Sequence, residues 1–297
     1  MAWFRSNYGS GGGGIPLVPW STGTDAEIIA MIEGYYNGDI PLKAIESVWS
    51  IGDKRSIHLD AMVATGVGES HHADDYEFVI IDFDHDLLVE PINGITKALI
   101  TIQQDRILYK NTTDSSYSSY YPSIADEGGY INPTGVYNTT GWNSCARRTW
   151  CNSVYYNAFP QYMKDNIKQV YKSTANSGST SSPTWVANTD KCFLLSEWEV
   201  FGNKTSSSET GSDATHYING TSGTSIIMPA GGSKYSIFVN TSDRYKLPKY
   251  SSYLSSRWWE RSPHSTTSNS FCVVSVEGAA NYYTSGNTCG IIPACCL

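Results

Sequence analysis

Only 16% of the 297 residues are charged, and the acidic residues outnumber the basic ones, which gives a formal net charge of −8. No run of Lys and Arg interrupts this acidic excess. Because nucleic-acid binding depends on cations that displace the counterions of the phosphate backbone, nucleic acid is excluded as an expected partner. With so few charges, and with 21 tyrosines, the polar surface is expected to consist largely of hydroxyl, amide and phenol groups.

The sequence also lacks a window of roughly 20 apolar residues, the length that a membrane-spanning helix requires, so membrane insertion is not expected. The segment from Met1 to Arg5 does not have the basic start and apolar stretch of a signal peptide. We therefore expect the chain to be made and folded in the bacterial cytoplasm. In that reducing compartment most of the seven cysteines are expected to be buried thiols, and the sequence contains no Cys-x-x-Cys spacing.

One short amphipathic helix is predicted near the start of the chain. Thr24 and Glu27 have the spacing of a capping box, and Asn37-Gly38 provides a stop signal. A helix of about four turns has too little surface to form a core alone. We therefore predict that residues 1–46 are an N-terminal docking or oligomerisation segment, which packs on the main domain, on a sister subunit or on a larger assembly. The apolar stripe of the helix is formed by Ile28, Met31, Ile32 and Tyr35.

The remainder of the chain is predicted to contain strands and two further helices. One helix carries Ala146, Trp150 and Val154 on one face, and the other begins at Pro160 and continues to Tyr171. Neither strand–helix alternation nor an internal repeat is present, which favours an α+β fold. Strands are predicted at 48–59, 78–83, 95–102, 192–202, 257–259, 271–276 and 290–297.

The last 48 residues, from Tyr250 to Leu297, differ from an ordinary solvated surface. They contain 21 Ser, Thr, Asn and Tyr residues, and no Lys follows Lys249. This composition is typical of recognition surfaces, because Tyr provides contact area with few rotatable bonds and the small polar residues provide adaptable hydrogen bonds. Loops that only keep a domain soluble collect the same residues, so that alternative stays open. The residues predicted to face a ligand are Glu260, His264, Thr266, Ser268, Asn269, Tyr282, Tyr283, Thr284, Ser285 and Asn287.

Several motifs between residues 47 and 297 resemble one family. The C-terminal motifs are Trp258-Trp259-Glu260-Arg261-Ser262-Pro263, Phe271-Cys272-x-Val274, Glu277-Gly278 and Gly290-Ile291-Ile292-Pro293. The earlier motifs are Gly141-Trp142-Asn143-Ser144, Arg148-Thr149-Trp150-Cys151-Asn152 and Ser196-Glu197-x-Glu199-Val200-Phe201-Gly202. Together they resemble a family of phage and gut-bacterial proteins with C-type-lectin-like folds. One departure is Ile292, which stands where many relatives carry an Arg that would hold a structural ion pair.

The resemblance implies a C-type-lectin-like domain over residues 47–297, in which two helices flank a small twisted antiparallel sheet and early strands pair with the last ones. Some members of the family are variable proteins of diversity-generating retroelements, including phage tropism determinants. The implied function is host attachment by a phage tail protein of the virion, whose variable region at about 250–297 binds a host cell-surface protein or glycan. Other tail proteins and two further copies of the chain, in a homotrimer, are the other expected partners. The expected framework residues are Trp150, Trp258, Trp259, Arg261, Phe271, Gly278 and Gly290.

No catalytic residue, metal ion or cofactor is predicted, and the chain is not expected to be an enzyme. A His- and Asp-rich segment fits neither an EF-hand loop nor a zinc motif, so its residues are interpreted as solvated turns at strand ends. The cysteines near the C-terminus have no activating base close in sequence, which favours burial over catalysis. Two alternatives stay open, namely a bacterial surface lectin of fixed glycan specificity and a glycan hydrolase. The His- and Asp-rich segment contains His71, His72, Asp74, Asp75, Asp82, Asp84, His85 and Asp86.

Overall fold

The computed structural model combines short helices with mostly antiparallel sheets, which agrees with the predicted α+β class. None of its described helices is long and apolar enough to cross a membrane. The structure describes residues 14–62, 71, 73–108, 131–132, 141–175, 185–202, 233–247, 249, 257–264, 269–287 and 289–297.

Helix α1 (Asp25–Asn37) begins and ends where the sequence predicts. The Thr24 hydroxyl accepts a hydrogen bond from the N–H of Glu27 at 3.3 Å, and the Glu27 carboxylate accepts one from the N–H of Thr24 at 2.9 Å. Gly38 then ends the helix with a φ of 80°, a conformation that costs glycine little because it has no Cβ. A second helix, α2 (Leu42–Ile45), follows directly.

The apolar stripe of α1 packs on the chain's own core. Its residues belong to the same buried hydrophobic cluster as the strands of the sheets. Tyr36 of this helix also links distant parts of the chain, because its hydroxyl donates to the carbonyl of Leu297 at 3.1 Å and accepts from the N–H of Leu99 at 3.0 Å. The sequence left three docking surfaces open for this helix. In the structure, the helix packs on the body of the same chain.

The described strands form three sheets with the orders β1-β2-β5-β12-β8, β4-β3-β6-β7 and β11-β10-β9. In the five-stranded sheet the C-terminal strand lies between two earlier strands, so that Cys295 pairs with Ile102 on one side and with Cys192 on the other. The strands are β1 (Lys54–Leu59), β2 (Asp74–Phe83), β3 (Leu87–Ile92), β4 (Ile95–Lys97), β5 (Ile100–Gln104), β6 (Val170–Ala175), β7 (Trp185–Asp190), β8 (Cys192–Phe193), β9 (Trp258–Pro263), β10 (Ser270–Val274), β11 (Ala280–Thr284) and β12 (Ala294–Cys296).

A continuous helical run extends from Ala146 to Ala158. It consists of α3 (Ala146–Trp150), one π-helical turn (Cys151–Tyr155) and α4 (Tyr156–Ala158). Trp150 and Tyr155 are buried, so this run contributes large aromatic side chains to the core. The predicted helix around Trp150 is therefore present, with a π-helical turn that its sequence does not reveal.

Three sequence predictions of local structure are wrong. Helix α5 (Gln161–Asn166) begins after Pro160 as predicted, but it ends at Asn166, and the chain continues into β6. The predicted strand over 95–102 is divided between β4 and β5, which lie in different sheets. Ser196 to Gly202 is not a strand, because Glu197–Phe201 forms helix α6. In the first and third cases a short apolar run fits both the helical and the strand period, and the hydrogen-bonding partners decide between them. In the second case the sequence has the right type of structure but does not show that the chain passes from one sheet to another.

Candidate functional site

The three-stranded sheet separates a buried base from an exposed strand. Every residue of β9 and β10 is buried, whereas β11 has one buried residue, Ala280, followed by positions that alternate between partly buried and exposed. Tyr282 on β11 is 40% exposed, and Thr284 on the same strand is also exposed. The sheet therefore presents polar side chains of β11 beside two strands that are entirely buried.

Two further exposed residues lie beside the end of β11. The N–H of Ser285 donates to the carbonyl of Asn269 at 2.8 Å, which places the segment before β10 next to the turn after β11. The N–H of Asn287 donates to the carbonyl of Thr284 at 2.8 Å in that turn. We call the four exposed residues the β11 patch: Asn269, Tyr282, Thr284 and Asn287.

The two tyrosines of β11 are held by different neighbours. The ring of Tyr282 stacks on that of His264, with centroids 3.9 Å apart and planes inclined by 28°. The ring of Tyr283 lies under the guanidinium group of Arg257 at 4.7 Å and pairs across the sheet with Phe271. Tyr283 is partly buried against the core, so Tyr282 is the more available tyrosine for a partner.

Three of the predicted ligand-facing residues are buried: Glu260, His264 and Ser285. This corrects the prediction that they face a ligand. Glu260 lies within β9, where both faces of the strand are covered, and His264 lies beneath the ring of Tyr282. The sequence could not show this, because polar side chains of these types are usually exposed, and only the neighbouring elements reveal that a strand is covered on both faces. Two other predicted ligand-facing residues, Thr266 and Ser268, lie outside the described part of the chain.

The seven predicted framework residues are all buried in the structure. The indole N–H of Trp258 donates to the carbonyl of Arg244 at 3.0 Å, so this ring is fixed by a hydrogen bond as well as by packing. The framework residues are Trp150, Trp258, Trp259, Arg261, Phe271, Gly278 and Gly290.

Gly278 ends the turn between β10 and β11, and replacing it by Ala is expected to lower the free energy of unfolding by about 2 kcal/mol or more. Its φ is 73°, and an added Cβ would lie 2.6 Å from the carbonyl oxygen of Thr241. Gly38→Ala is the matched control, because its φ of 80° is similar but no atom lies within 4 Å of the added Cβ. Urea denaturation of both variants checks this prediction, and equal losses would contradict the role of the close contact.

A buried ion network joins β9 to four other parts of the chain. The ammonium group of Lys172 pairs with Asp86, and it lies 3.1 Å from the Glu199 carboxylate. Arg261 on β9 binds the same carboxylate through two N–H groups, the longer contact being 2.9 Å. The Tyr235 hydroxyl completes the network by donating to Asp86 at 2.9 Å. Two cations thus compensate two anions in the interior, as buried charges require.

The network shifts the ionisation of its carboxylates. Burial by itself raises the pKa of Glu199, but the charges of Arg261 and Lys172 outweigh it and lower the pKa to about 2. Burial also acts to raise the pKa of Asp86, and Lys172 together with His85 holds that pKa well below its usual 3.8. Both carboxylates are therefore ionised at neutral pH. Since the network is almost completely buried, it supports the fold rather than contacting a ligand.

The interpretation of the His- and Asp-rich segment as solvated turns is wrong for four of its residues. His71, Asp82, His85 and Asp86 are buried, and Asp86 belongs to the ion network. The sequence did not reveal this because the partners of Asp86 are distant in the chain. Asp75 and Asp84 are exposed as expected, Asp74 pairs with Lys249, and His72 lies outside the described residues. Within the described part of the chain, no group of three or more His, Cys, Asp or Glu side chains could hold a metal ion.

The seven cysteines are free and buried, which confirms the prediction of buried thiols. Burial raises the pKa of the Cys145 thiol to about 12 and that of the Cys289 thiol to about 12. Such thiols are protonated at neutral pH and are poor nucleophiles. Neither of these two thiols is therefore activated for covalent chemistry.

The fold and the site together define an α+β protein that carries an exposed polar strand on a buried aromatic base. A family model described as a domain of unknown function (DUF6273) matches residues 109–297, which is more than half of the chain. The chain belongs to this family. A search of curated proteins and a search of solved structures each gave no match.

Proposed function

We propose that this chain is a phage tail-associated attachment protein whose C-type-lectin-like domain binds a host cell-surface protein or glycan through the β11 patch. The observation that carries the proposal is the contrast within one sheet, where β9 and β10 are entirely buried and β11 exposes Tyr282 and Thr284. An aromatic residue such as Tyr282, which is stacked on a buried His264 ring and is 40% exposed, is well suited to recognition, because little rotamer entropy is lost on binding.

The same contrast is compatible with diversification by a retroelement. Substitutions at exposed positions usually change stability within about 0.5 kcal/mol, whereas truncation of a buried aromatic side chain costs about 3–5 kcal/mol. The residues of the β11 patch are exposed positions, whereas Trp258 and Trp259 on β9 of the same sheet are buried aromatic side chains. A ligand surface of this design accepts many sequences without unfolding.

The topology supports a C-type-lectin-like domain. In the family that the motifs resemble, strands from the beginning of the domain pair with the last ones, and here β5 pairs with β12 along Thr101 to Gln103. Display as a homotrimer is part of the proposal, since linked copies raise avidity by roughly 10²- to 10⁴-fold without tightening a single site.

Combined replacement of Tyr282, Thr284 and Asn287 by Ala is expected to weaken binding to host cells by at least about tenfold, because a Tyr contact at the centre of an interface is commonly worth 2 kcal/mol or more. Binding of labelled protein to host cells provides the measurement, and thermal unfolding verifies that the variant is folded. Tyr171→Ala is the control, since Tyr171 is 43% exposed but lies on β6 in another sheet.

A folded triple variant that binds host cells like the unmodified protein would refute the assignment of the β11 patch. Two further results would favour the alternatives. Binding of one sugar by every natural variant on a glycan array would indicate a lectin of fixed specificity. Release of reducing ends from host polysaccharide would indicate a glycan hydrolase.

A further inference from the structure

A cleft of about 320 Å³ with polar lining residues lies between the helical run 146–158, the end of β7 and the residue that precedes β6. Its volume is at the lower end of the range of about 300–1,000 Å³ that is typical of small-molecule sites. None of its lining residues belongs to the β11 patch. The helical run contributes Arg148, Thr149, Asn152 and Tyr156, and the strand side contributes Thr189 and Lys191.

The charge of one of the two cations in the cleft is already compensated. The Nε of Arg148 donates to the Asp190 carboxylate at 2.7 Å, and another N–H of its guanidinium group donates to the carbonyl of Asn143 at 3.0 Å. Asp190 is 0% exposed and also accepts from the indole N–H of Trp142 at 2.9 Å. Arg148 and Asp190 therefore form a closed pair, and this pair adds no net charge to the cleft.

Lys191 carries the uncompensated charge. Its ammonium group donates to the Tyr156 hydroxyl at 2.9 Å and lies 4.2 Å from the centre of that ring. Among the residues that the structure describes, no carboxylate forms an ion pair with it. Lys191 is partly buried, and an ammonium group with neutral neighbours favours an anion as its partner. The chain as a whole has a formal net charge of −8, so this preference is local to the cleft.

The position of Lys191 is fixed by Asn152, which joins the helical run to the strands. The side-chain carbonyl oxygen of Asn152 accepts a hydrogen bond from the backbone N–H of Lys191 at 2.7 Å. The side-chain NH₂ of Asn152 donates to the carboxylate of Asp190 and to the backbone carbonyl of Cys192, each at 3.0 Å. Asn152 lies in the π-helical turn, a rare conformation that occurs frequently at functional sites. The cleft is therefore built before any ligand arrives.

The other lining groups indicate which anion fits. Thr149 and Thr189 offer hydroxyl groups, and Gln169 at the rim offers an amide, so that a ligand rich in hydroxyl groups finds both donors and acceptors. One net positive charge matches one carboxylate. We propose that this cleft binds a sugar acid, whose carboxylate pairs with Lys191 and whose ring hydroxyls contact Thr149, Thr189 and Gln169. The site is separate from the β11 patch, and its test does not depend on the proposed function.

Isothermal titration calorimetry of the full chain with glucuronate tests the proposal. Glucose is the control sugar without a charge, and acetate and inorganic phosphate are the control anions without a sugar ring. We expect saturable binding of glucuronate that is at least tenfold tighter than that of glucose, acetate or phosphate. Lys191→Met, which keeps the aliphatic stem but removes the charge, is expected to weaken glucuronate binding at least tenfold, and Lys191→Arg is expected to restore part of it.

Lys43→Met is the control variant, since Lys43 is an exposed lysine on α2 and its loss changes the net charge equally. Gln169→Ala is an additional test at the rim, where the side chain is exposed, so we expect the variant to fold and to lose two- to fivefold in glucuronate binding. The triple variant of the β11 patch is expected to bind glucuronate like the unmodified chain. Equal binding of glucose and glucuronate, tighter binding of phosphate, or unchanged binding by a folded Lys191→Met variant would overturn the proposal.

Discussion

Replacing Arg261 by Met is expected to lower the free energy of unfolding by about 3–5 kcal/mol, because it leaves a buried anion without full compensation. Arg261 makes two hydrogen bonds to the Glu199 carboxylate and donates a third to the carbonyl of Leu194 at 2.8 Å. After the substitution, Asp86 and Glu199 would share the single charge of Lys172 in the interior. Urea denaturation followed by circular dichroism measures the loss.

An exposed ion pair provides the matched control for this substitution. Lys54 pairs with Asp105 at 2.7 Å, but its side chain is 46% exposed, so Lys54→Met is expected to cost only about 0–1 kcal/mol. If Arg261→Met were no more costly than Lys54→Met, the buried network would not stabilise β9. Arg261 lies on β9, which pairs with β10, and β10 pairs with β11. We therefore also expect the sheet that carries the β11 patch to unfold at a lower temperature in the Arg261→Met variant.

Acidification is expected to remove roughly 3 kcal/mol of stability between about pH 5 and pH 2 through Glu199 alone. Its pKa is about 2 in the folded chain and is close to the usual 4.5 when the chain is unfolded. A carboxylate whose pKa is lowered by folding contributes stability above its unfolded pKa, and this contribution disappears as the pH falls through the folded pKa. Asp86, whose pKa is also lowered, adds to the loss in the same direction.

Urea denaturation at a series of pH values measures this dependence. Glu199→Gln is expected to be less stable at neutral pH, but its stability should fall less steeply between pH 5 and pH 2, because one titrating carboxylate has been removed. An unchanged slope in a folded variant would contradict the assignment of the acid loss to Glu199. Glu77→Gln, at an exposed site whose side chain is outside the network, is the control for a change of charge alone.

His85, which lies beside Asp86, predicts a dependence of opposite sign near neutral pH. Burial by itself lowers the pKa of His85, but its hydrogen bond to Asp86 and the charge of that residue outweigh it and raise the pKa above 6.5. The stabilisation by protonated His85 is therefore complete below pH 6.5 and is lost as the pH rises through the folded pKa. Stability is thus expected to be greatest between the range where the carboxylates titrate and the range where His85 titrates.

Local signals predicted the parts of the fold whose partners are close in sequence. The ends of α1 are set by Thr24, Glu27 and Gly38, which act within one turn of the helix, and the structure has both ends as predicted. A second capping box, formed by Ser196 and Glu199, begins α6, where the sequence predicted a strand. A serine followed three residues later by glutamate is present there, but the apolar residues around it suggested a strand.

The candidate site was only partly predictable. The sequence indicated a polar C-terminal region on an apolar support, and Tyr282, Thr284, Asn287 and Asn269 are exposed. It did not indicate that β9 is covered by α6 and the segment before it, where the N–H of Arg261 donates to the carbonyl of Leu195. The polar cleft around Lys191 was also missed, because it combines a helical run with strands that lie further along the chain.

By itself, the sequence determined the first helix, the α+β class, the burial of Trp150, Trp258 and Trp259 and the burial of the cysteines, because these depend on residue type and on contacts within a few residues. Only the tertiary structure decided which polar side chains are exposed and which charges are paired. Lys172, Glu199 and Arg261 are far apart in the chain, and their contacts exist only because separate sheets bring them together. Exposure and charge pairing are properties of that packing.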